Sequence, residues 1–240
     1  MALVQQEKQQ KMRSENKLVY IDNLPETLEL VVPEDGLLTL SVASFNELKN
    51  SKISVKVYKN ATFEGYMADF SSFKGKVDLD VELMEEGAEC NWHLSSMSTS
   101  DSKKEFNTSV IHHAAHTNAS MNNYGIARDE SRIIFKGVST IEKGSVKTIT
   151  KQVAKIIVFD PNSDGVASPS LVIDDNDTSA SHAAVVGRLN EQHLYYLQSR
   201  GISLSEAKRL IALGYLKPIE AGFADENVRN QIDSAIEGAF

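Results

Sequence analysis

Three histidines stand within five residues of this sequence, at His112, His113 and His116. Imidazole is a common ligand of transition metals, so the cluster raises the question of a metal site. In a β-strand, His112 and His116 share one face about 13 Å apart, and His113 points to the other face. A straight strand therefore cannot bring all three rings to one ion, and we favour hydrogen-bonded structural histidines.

Two other motifs fail at a residue that their chemistry requires. Residues 160–165 begin like a calcium-binding loop, but Leu171 stands where a bidentate carboxylate is needed. Lys147 resembles the lysine of a phosphate-binding loop, but Val146 stands where the motif requires glycine. We therefore expect neither a calcium loop nor a nucleotide-binding loop of these kinds.

The single cysteine, Cys90, excludes an intrachain disulfide and indicates a reducing compartment. His93 follows three residues later, and residues three apart in a strand point to opposite faces. We therefore expect Cys90 to be structural and the protein to be cytoplasmic.

The composition describes a globular protein of 240 residues with 41% hydrophobic and 24% charged residues. The net charge of −8 argues against binding to nucleic acids or anionic membranes. No apolar run approaches the roughly 20 residues that span a bilayer, and the N-terminus is too polar for a signal peptide. These features predict a soluble protein.

Short apolar runs separated by polar or glycine-containing turns fill residues 18–188. We predict strands at 17–21, 27–32, 37–42, 53–58, 77–83, 89–94, 106–111, 132–137, 154–159 and 171–173. Asn107, Asn118, Asn122 and Asn123 would suit tight corners or ordinary loops. Regular short strands are typical of a sandwich, a barrel or a β-solenoid, and the pattern alone does not choose among them.

The pattern becomes helical after Gly187. A first helix is predicted over 190–200, and Ser203 with Glu206 fits a capping box that opens a second helix. This second helix is expected to end at Gly214, and a third helix to begin near Asp225. The third helix has an apolar stripe at Val228, Ile232 and Ile236.

These patterns divide the chain into three predicted segments. Residues 1–17 form an N-terminal tail or peripheral helix, residues 18–188 form the β core, and residues 189–240 form a small helical domain.

The segment SHAAVVGRLNEQHLYYLQSRGISLSEAKRLIALGYLKPI, residues 181–219, closely resembles the C-terminal signature of the SufB/SufD family. Further blocks occur upstream in family order. They are Val-Ile-His-His at 110–113, Ile-Phe-Lys-Gly at 134–137, Thr-Lys-Gln at 150–152 and Ser-Pro-Ser-Leu-Val-Ile at 168–173. The resemblance covers about residues 110–219, and the family scaffolds iron–sulfur cluster assembly in the SUF system.

The resemblance implies a mainly β fold, a right-handed parallel β-helix with a C-terminal helical domain. In such a solenoid Ile156, Val158, Leu171 and Ile173 should point inward. The family role is scaffolding rather than catalysis. SufB and SufD pair through their β-helices, and each binds one copy of the ATPase SufC through its helical domain. The N-terminal helical domain of longer relatives is expected to be reduced here to residues 1–17.

Two positions indicate a SufD-like rather than a SufB-like chain. SufB-like chains carry a cluster-building cysteine where Val153 stands here, and Glu directly after the motif histidine, where Ala183 stands. The SufD pattern has Gly at the latter position. Some SufD relatives carry a cysteine two residues before the histidine, where this chain has Ala180.

The resemblance implies that His182 lies at the cluster-assembly interface and could donate to a transient iron–sulfur cluster shared with the partner. A purely hydrogen-bonding role for His182 is an equal alternative, and no tightly bound cofactor is expected. Val153 is expected to face the same seam as His182. Four residues of the first helix are expected to dock the ATPase: Leu194, Tyr195, Tyr196 and Arg200.

Two other functions stay open at this point. One is a β-helix enzyme, a carbohydrate hydrolase or lyase, against which the missing nucleophile motifs count. The other is a homodimeric SufB-like scaffold, against which Val153 and Ala183 count. A homodimer of the SufD-like chain alone is also open.

Overall fold

The computed structural model describes residues 15–240. In this part of the chain, thirteen strands form two sheets, and three α-helices and one 3₁₀ helix follow them. The strands of sheet A are β1 (Glu15–Ile21), β3 (Leu37–Ser44), β5 (Thr62–Asp69), β7 (Glu89–Ser98), β9 (Asn118–Ala127), β11 (Thr148–Val158) and β13 (Thr178–Arg188). The strands of sheet B are β2 (Thr27–Val32), β4 (Ser51–Val57), β6 (Lys74–Leu83), β8 (Lys103–His112), β10 (Arg132–Ile141) and β12 (Asp164–Ile173).

The two sheets form a parallel β-solenoid of about six turns, with one strand from each sheet in every rung. Each strand pairs in parallel with the strand two positions along the chain, as β3 does with β1 and β5. Strands make up 52% of the described residues, and helices follow at the C-terminus. The predicted parallel β-helix with C-terminal helices is therefore confirmed.

Alternation of side chains builds the core between the sheets. In β4, Ile53, Val55 and Val57 are buried, whereas Lys52 and Lys56 between them are exposed. Stacked strands repeat this alternation in register, so each inward residue packs on an inward residue of the next rung. The core is therefore a set of apolar rows that run along the solenoid axis.

One corner of the solenoid has the same backbone conformation in successive rungs. Asp35, Asn60, Gly87, His116 and Lys147 all have positive φ, between 52° and 73°. Each lies one rung after the previous one, and the interval between them grows from 25 to 31 residues. A corner that demands left-handed backbone conformation favours Asn, Asp and Gly. Because the interval drifts, the repeat is not visible as an exact period in the sequence.

Three strands were not predicted from the sequence: β5, β9 and β13. Glycine interrupts β5 and β9, and β13 consists largely of small residues. Asn118, Asn122 and Asn123, considered above for corners or loops, lie within β9. The stacking of each strand between two neighbours overrides its weak intrinsic preference.

The predicted helix starts agree with the structure, and one predicted end is wrong. The helices are α1 (Glu191–Ser199), α2 (Leu204–Leu216), a 3₁₀ helix (Lys217–Gly222) and α3 (Glu226–Glu237). Asn190, Ser203 and Asp225 cap the three α-helices with their side chains. Helix α2 continues through Gly214 because Leu216 in the next half-turn is fully buried. Only half of the capping box forms, since Glu206 binds Arg209 instead of reaching back.

The helices α2 and α3 and the 3₁₀ helix pack against the carboxyl ends of the sheet A strands. They bury a second apolar cluster, with Leu216, Ile219 and Ile232 on the helical side and Ala68 and Ile126 on the strands. Helix α2 contacts β9, and the 3₁₀ helix contacts β5 and β7, so the chain runs back toward the first rungs. The last rung is not covered by these helices.

Most of the predicted N-terminal segment, residues 1–14, lies outside the described residues. Its last three residues, 15–17, belong to β1. No helix between residues 15 and 240 is long and apolar enough to cross a membrane.

Candidate functional site

The last rung of the solenoid exposes positions that are buried in the rung before it. Strands β12 and β13 contain no buried residue. Ile173 stacks on the buried Ile141 but is itself 41% exposed, and Val186 stacks on the buried Ile156 but is 44% exposed. The prediction that Ile173 points inward is therefore correct. Its side chain is nevertheless exposed, because no further rung covers it. This rung, β12 with β13, is called the terminal rung below.

His182 lies in the middle of β13, directly in register with Gln152 of β11. Gln152 is buried and inward-facing, so the same register places His182 on the axial side of the terminal rung. Among residues 15–240, the imidazole has neither a hydrogen bond nor an ion pair with any other residue. The terminal rung thus offers one exposed imidazole over its open end, beside exposed valine and isoleucine side chains.

A polar layer lies directly beneath His182, inside the solenoid. Gln152 Nε2 donates to Ser139 Oγ at 2.8 Å and to the backbone oxygen of Ser170 at 2.9 Å, which joins β11 to β10 and β12. Thr150 Oγ1 donates to the same Ser139 oxygen at 2.9 Å. Gly137 makes room for this brace, because a Cβ there would lie 2.3 Å from Gln152 Oε1. The brace fixes the edge strand β12 to the body of the solenoid.

The sequence suggested that Val153 faces the same side as His182, but in the structure it does not. It pairs with Ala183 and follows the inward Gln152, so alternation turns Val153 to the outer face of sheet A. The two positions that distinguish this chain from SufB-like sequences, Val153 and Ala183, are therefore neighbours in adjacent strands. They lie on the opposite side of the sheet from His182.

Of the four residues expected to dock an ATPase, three lie on α1, the least buried helix of the described chain, and Arg200 is its C-cap residue. Tyr195 and Tyr196 are 75% and 56% exposed, and Leu194 is half-buried. The Arg200 guanidinium lies 5.1 Å from the Tyr196 ring centroid, within the range of a cation–π contact. The helix follows β13 after two residues, so this aromatic surface is attached directly to the terminal rung.

The histidine cluster of the sequence is structural and dispersed. His112 is buried, and its Nδ1 lies 2.8 Å from Thr117 Oγ1. Burial, with a smaller contribution from the neighbouring His113, lowers the pKa of His112 to about 4. His113 lies on the surface between Glu82 and Glu142, and His116 occupies a left-handed corner. No group of three His, Cys, Asp or Glu side chains between residues 15 and 240 is arranged to hold a metal ion.

Cys90 is fully buried in the core, and burial raises the pKa of its thiol. It stacks between Phe63 and Ala119, whereas His93 stacks on Tyr66 on the other face of sheet A. The expectation that Cys90 and His93 face apart is met.

Sequence reasoning did not anticipate two polar features of the interior. One is the Gln152 brace, whose signal was the polar side chains at alternate positions of 148–152. The other is a fully buried ion pair, in which Lys104 Nζ donates to Asp69 Oδ2 at 2.6 Å. The residues around Lys104 do not indicate that its side chain is buried, because lysine is almost always exposed.

Comparison with known proteins identifies the family to which this chain is similar. A family model described as "SUF system FeS cluster assembly, SufBD core domain" matches residues 26–215. The iron–sulfur cluster assembly protein SufD of Bacillus subtilis is 37% identical over 134 residues, which are 56% of this chain and 31% of that protein. The SufD of Escherichia coli is 26% identical over 107 residues, 45% of this chain and 25% of that protein.

A SufBD family protein of Staphylococcus saprophyticus is 24% identical over 162 residues, 68% of this chain and 35% of that protein. The matched part is thus about a third or less of the length of these relatives.

Proposed function

The chain belongs to the SufBD core family and is SufD-like within it, and on this premise we propose that it is a non-catalytic scaffold subunit for iron–sulfur cluster assembly. It pairs with a SufB-like subunit through its terminal rung and docks a SufC-like ATPase through α1. The names of the relatives, which are cluster assembly proteins, support the non-catalytic role.

The observation that carries the proposal is the uncovered terminal rung. Its edge strands leave backbone hydrogen-bonding groups unpaired, and it exposes Val172, Ile173, Val185 and Val186 by 41–53%. An unprotected strand edge with exposed apolar side chains is a surface that pairs with another chain. A SufB-like end of the same architecture provides matching strands and apolar residues. In the absence of that partner, a second copy of this chain would use the same surface.

His182 then lies at the seam between the two subunits. A neutral imidazole donates to iron, and the remaining ligands, including thiolates, would come from the SufB-like subunit. The cluster is the cargo of the complex rather than a resident cofactor. The position of His182 over the open end supports this role, since pairing would bring a partner strand next to it.

Docking of the ATPase by α1 is supported by two features. The helix buries no residue in the described chain, and Tyr195 and Tyr196 are available together with Arg200. Tyrosine and arginine are enriched in protein interfaces. Since α1 follows β13 directly, a pull on α1 by paired ATPase subunits would act on the strand that carries His182. Different binding energies in the two nucleotide states would make this movement possible.

The experiment that tests the pairing surface is Val186→Asp, compared with Val31→Asp as a control. Val186 lies over the open end in register with the buried Ile156 and is 44% exposed, and Val31 is a 61% exposed residue of the first rung. We expect Val186→Asp to abolish co-purification with a SufB-like partner, because a buried unpaired carboxylate costs several kcal/mol, and Val31→Asp to leave it unchanged. Equal binding by both variants, with unchanged melting temperatures, would contradict the proposed surface.

A further inference from the structure

One row of like charges crosses three neighbouring strands of sheet B. Lys74 of β6 pairs in register with Lys103 of β8, and Lys103 pairs with Arg132 of β10. Stacked strands are about 4.8 Å apart, and like charges in directly facing positions destabilise a sheet. Among the registered strand pairs of residues 15–240, these are the two in which charges of the same sign face each other. Such a row is unexpected in a chain with a net charge of −8.

The ends of this row are neutralised, but its centre is not. Lys74 forms an ion pair with Asp101, and Arg132 forms one with Asp164 at 3.2 Å. The exposed ammonium group of Lys103 has no ion pair or hydrogen bond with any residue of the described chain. Asp101, the partner of Lys74, also interacts electrostatically with Lys103 but forms no ion pair with it, so the middle position of the row holds a positive charge without a direct partner in the described chain.

The row lines a surface cavity of about 460 Å³. Lys76, on the same face two residues after Lys74, lines it as well and is paired with Asp78 at 2.8 Å. Glu105 is the one carboxylate that lines the cavity, and Lys136 binds it at 2.8 Å.

A second donor and an apolar wall complete the cavity. Asn50 lines it, and its Oδ1 accepts the backbone N–H of Lys76 at 2.8 Å. This bond fixes the orientation of the amide, so that Nδ2 is a donor without a partner among the described residues. Ile134 contributes an apolar wall beside the charges. A cation and an amide N–H without partners in one concave site are the donors that an anion requires.

We propose that this cavity, lined by Lys74, Lys76, Lys103, Arg132 and Asn50, binds a phosphate group. Ammonium and guanidinium groups together bind phosphate oxygens through charge-assisted hydrogen bonds. The phosphate group would place its negative charge at Lys103 and relieve the repulsion along the row. The same chemistry is presented by inorganic phosphate and by the phosphoryl groups of a nucleotide. The site lies on sheet B, away from His182 and α1, and the ion pair between Arg132 and Asp164 connects it to the start of β12.

The test is calorimetric titration of the full chain with inorganic phosphate, pyrophosphate and ADP at constant ionic strength. Lys103→Gln removes the unpaired charge, and Lys151→Gln is the matched control, since Lys151 is an exposed, unpaired lysine on β11 of sheet A. A charge-assisted hydrogen bond contributes about 1.5–3 kcal/mol, so we expect Lys103→Gln to weaken binding at least about tenfold and Lys151→Gln to leave it unchanged.

Two further measurements test the repulsion along the row and the part of the ligand that is recognised. Without ligand, Lys103→Gln should melt at the same temperature as the wild type or higher, because it removes like-charge repulsion. Pyrophosphate that binds as tightly as ADP would assign recognition to the phosphate groups alone, whereas tighter binding of ADP would assign a contribution to the nucleoside part. No saturable binding of any of the three anions, or equal affinity of the two variants, would overturn the proposal.

Discussion

At the scale of single residues, His112 makes the stability of the protein depend on pH. Burial holds its pKa at about 4, against 6.5 for an ordinary histidine, so the folded protein keeps the ring neutral. The unfolded chain binds a proton between these two values, and stability is therefore lost as the pH falls from 6.5 toward 4. We expect a loss of about 1.4 kcal/mol per pH unit from this group in that range.

The measurement is the free energy of unfolding in urea between pH 7 and pH 4 for the wild type and for His112→Leu. Leucine fits the row, since His112 stacks between Leu83 and Ile141. His93, whose pKa burial also lowers, acts in the same direction and stays in both proteins. The variant should lose less stability in acid than the wild type. Parallel curves for the two proteins would show that His112 is not the group responsible.

His182 allows the ligand role to be separated from a hydrogen-bonding role. His182→Gln keeps a polar side chain that can hydrogen-bond but is a poor ligand for iron, whereas His182→Cys supplies a thiolate ligand. If the imidazole binds the cluster, the complex with its partners should lose most of its cluster absorbance in the Gln variant and regain it in the Cys variant. The complex itself should assemble in both. Normal cluster yield with Gln would assign His182 to hydrogen bonding.

Particular residues show which side-chain orientations strand alternation decides. The opposite orientation of Cys90 and His93 followed from strand alternation alone. The orientation of Val153 relative to His182 was missed, although the same alternation decides it, because β13 was not recognised as a strand. The burial of Lys104 depends on Asp69, which lies 35 residues earlier, and no local pattern encodes such a partnership.

At the scale of structural elements, the corner with left-handed residues should act as a unit. Gly87 has a φ of 73°, and a Cβ at this position would lie 2.4 Å from Asn60 Oδ1 of the preceding rung. We expect Gly87→Ala to lower the free energy of unfolding by about 1–3 kcal/mol, from backbone strain and this clash.

The double variant Asn60→Gly with Gly87→Ala separates the two causes. Removing the Asn60 side chain removes the clash but not the strain, so the two substitutions should be less destabilising together than their sum. Denaturant unfolding of the four proteins measures this coupling. Strict additivity would mean that the corner residues do not interact.

The prediction for ATPase docking concerns helix α1 and its C-cap residue. Tyr196→Ala with Arg200→Ala removes an exposed ring and the guanidinium that stacks on it. We expect the affinity for the SufC-like ATPase to fall at least tenfold, about 1.4 kcal/mol, as for exposed interface residues of this kind. The melting temperature should stay the same, because neither residue is buried. Unchanged affinity would remove these residues from the docking surface.

The elements also show why some were predicted and others were not. Strands such as β4 and β6 alternate aliphatic and charged residues, and helix caps such as Ser203 act through local hydrogen bonds. Both signals are contained in a short stretch of sequence. Strands β9 and β13 have neither, since they are held by their neighbours and not by their own composition. The resemblance to a known family, rather than the strand pattern, selected the solenoid among the all-β architectures.

At the scale of the whole molecule, the helices and the solenoid should unfold together. Ile232 of α3 is fully buried in the cluster that joins the helices to sheet A. We expect Ile232→Ala to cost about 2–5 kcal/mol and to shift one common transition. Helical circular dichroism and the fluorescence of Trp92, the single tryptophan and a residue of the solenoid core, report the two parts separately. Separate transitions for the two signals would contradict this coupling.

The lengthening of the rungs gives the solenoid a narrow end and a broad end. Strand β2 in the first rung has six residues, whereas β12 in the terminal rung has ten. At about 3.3 Å per residue, the edges at the two ends differ in length by more than 10 Å. An open strand edge at each end of a molecule can lead to head-to-tail polymerisation into fibres. The longer edge can pair along its whole length only with an edge equally long, so we expect association through the broad end to stop at two chains.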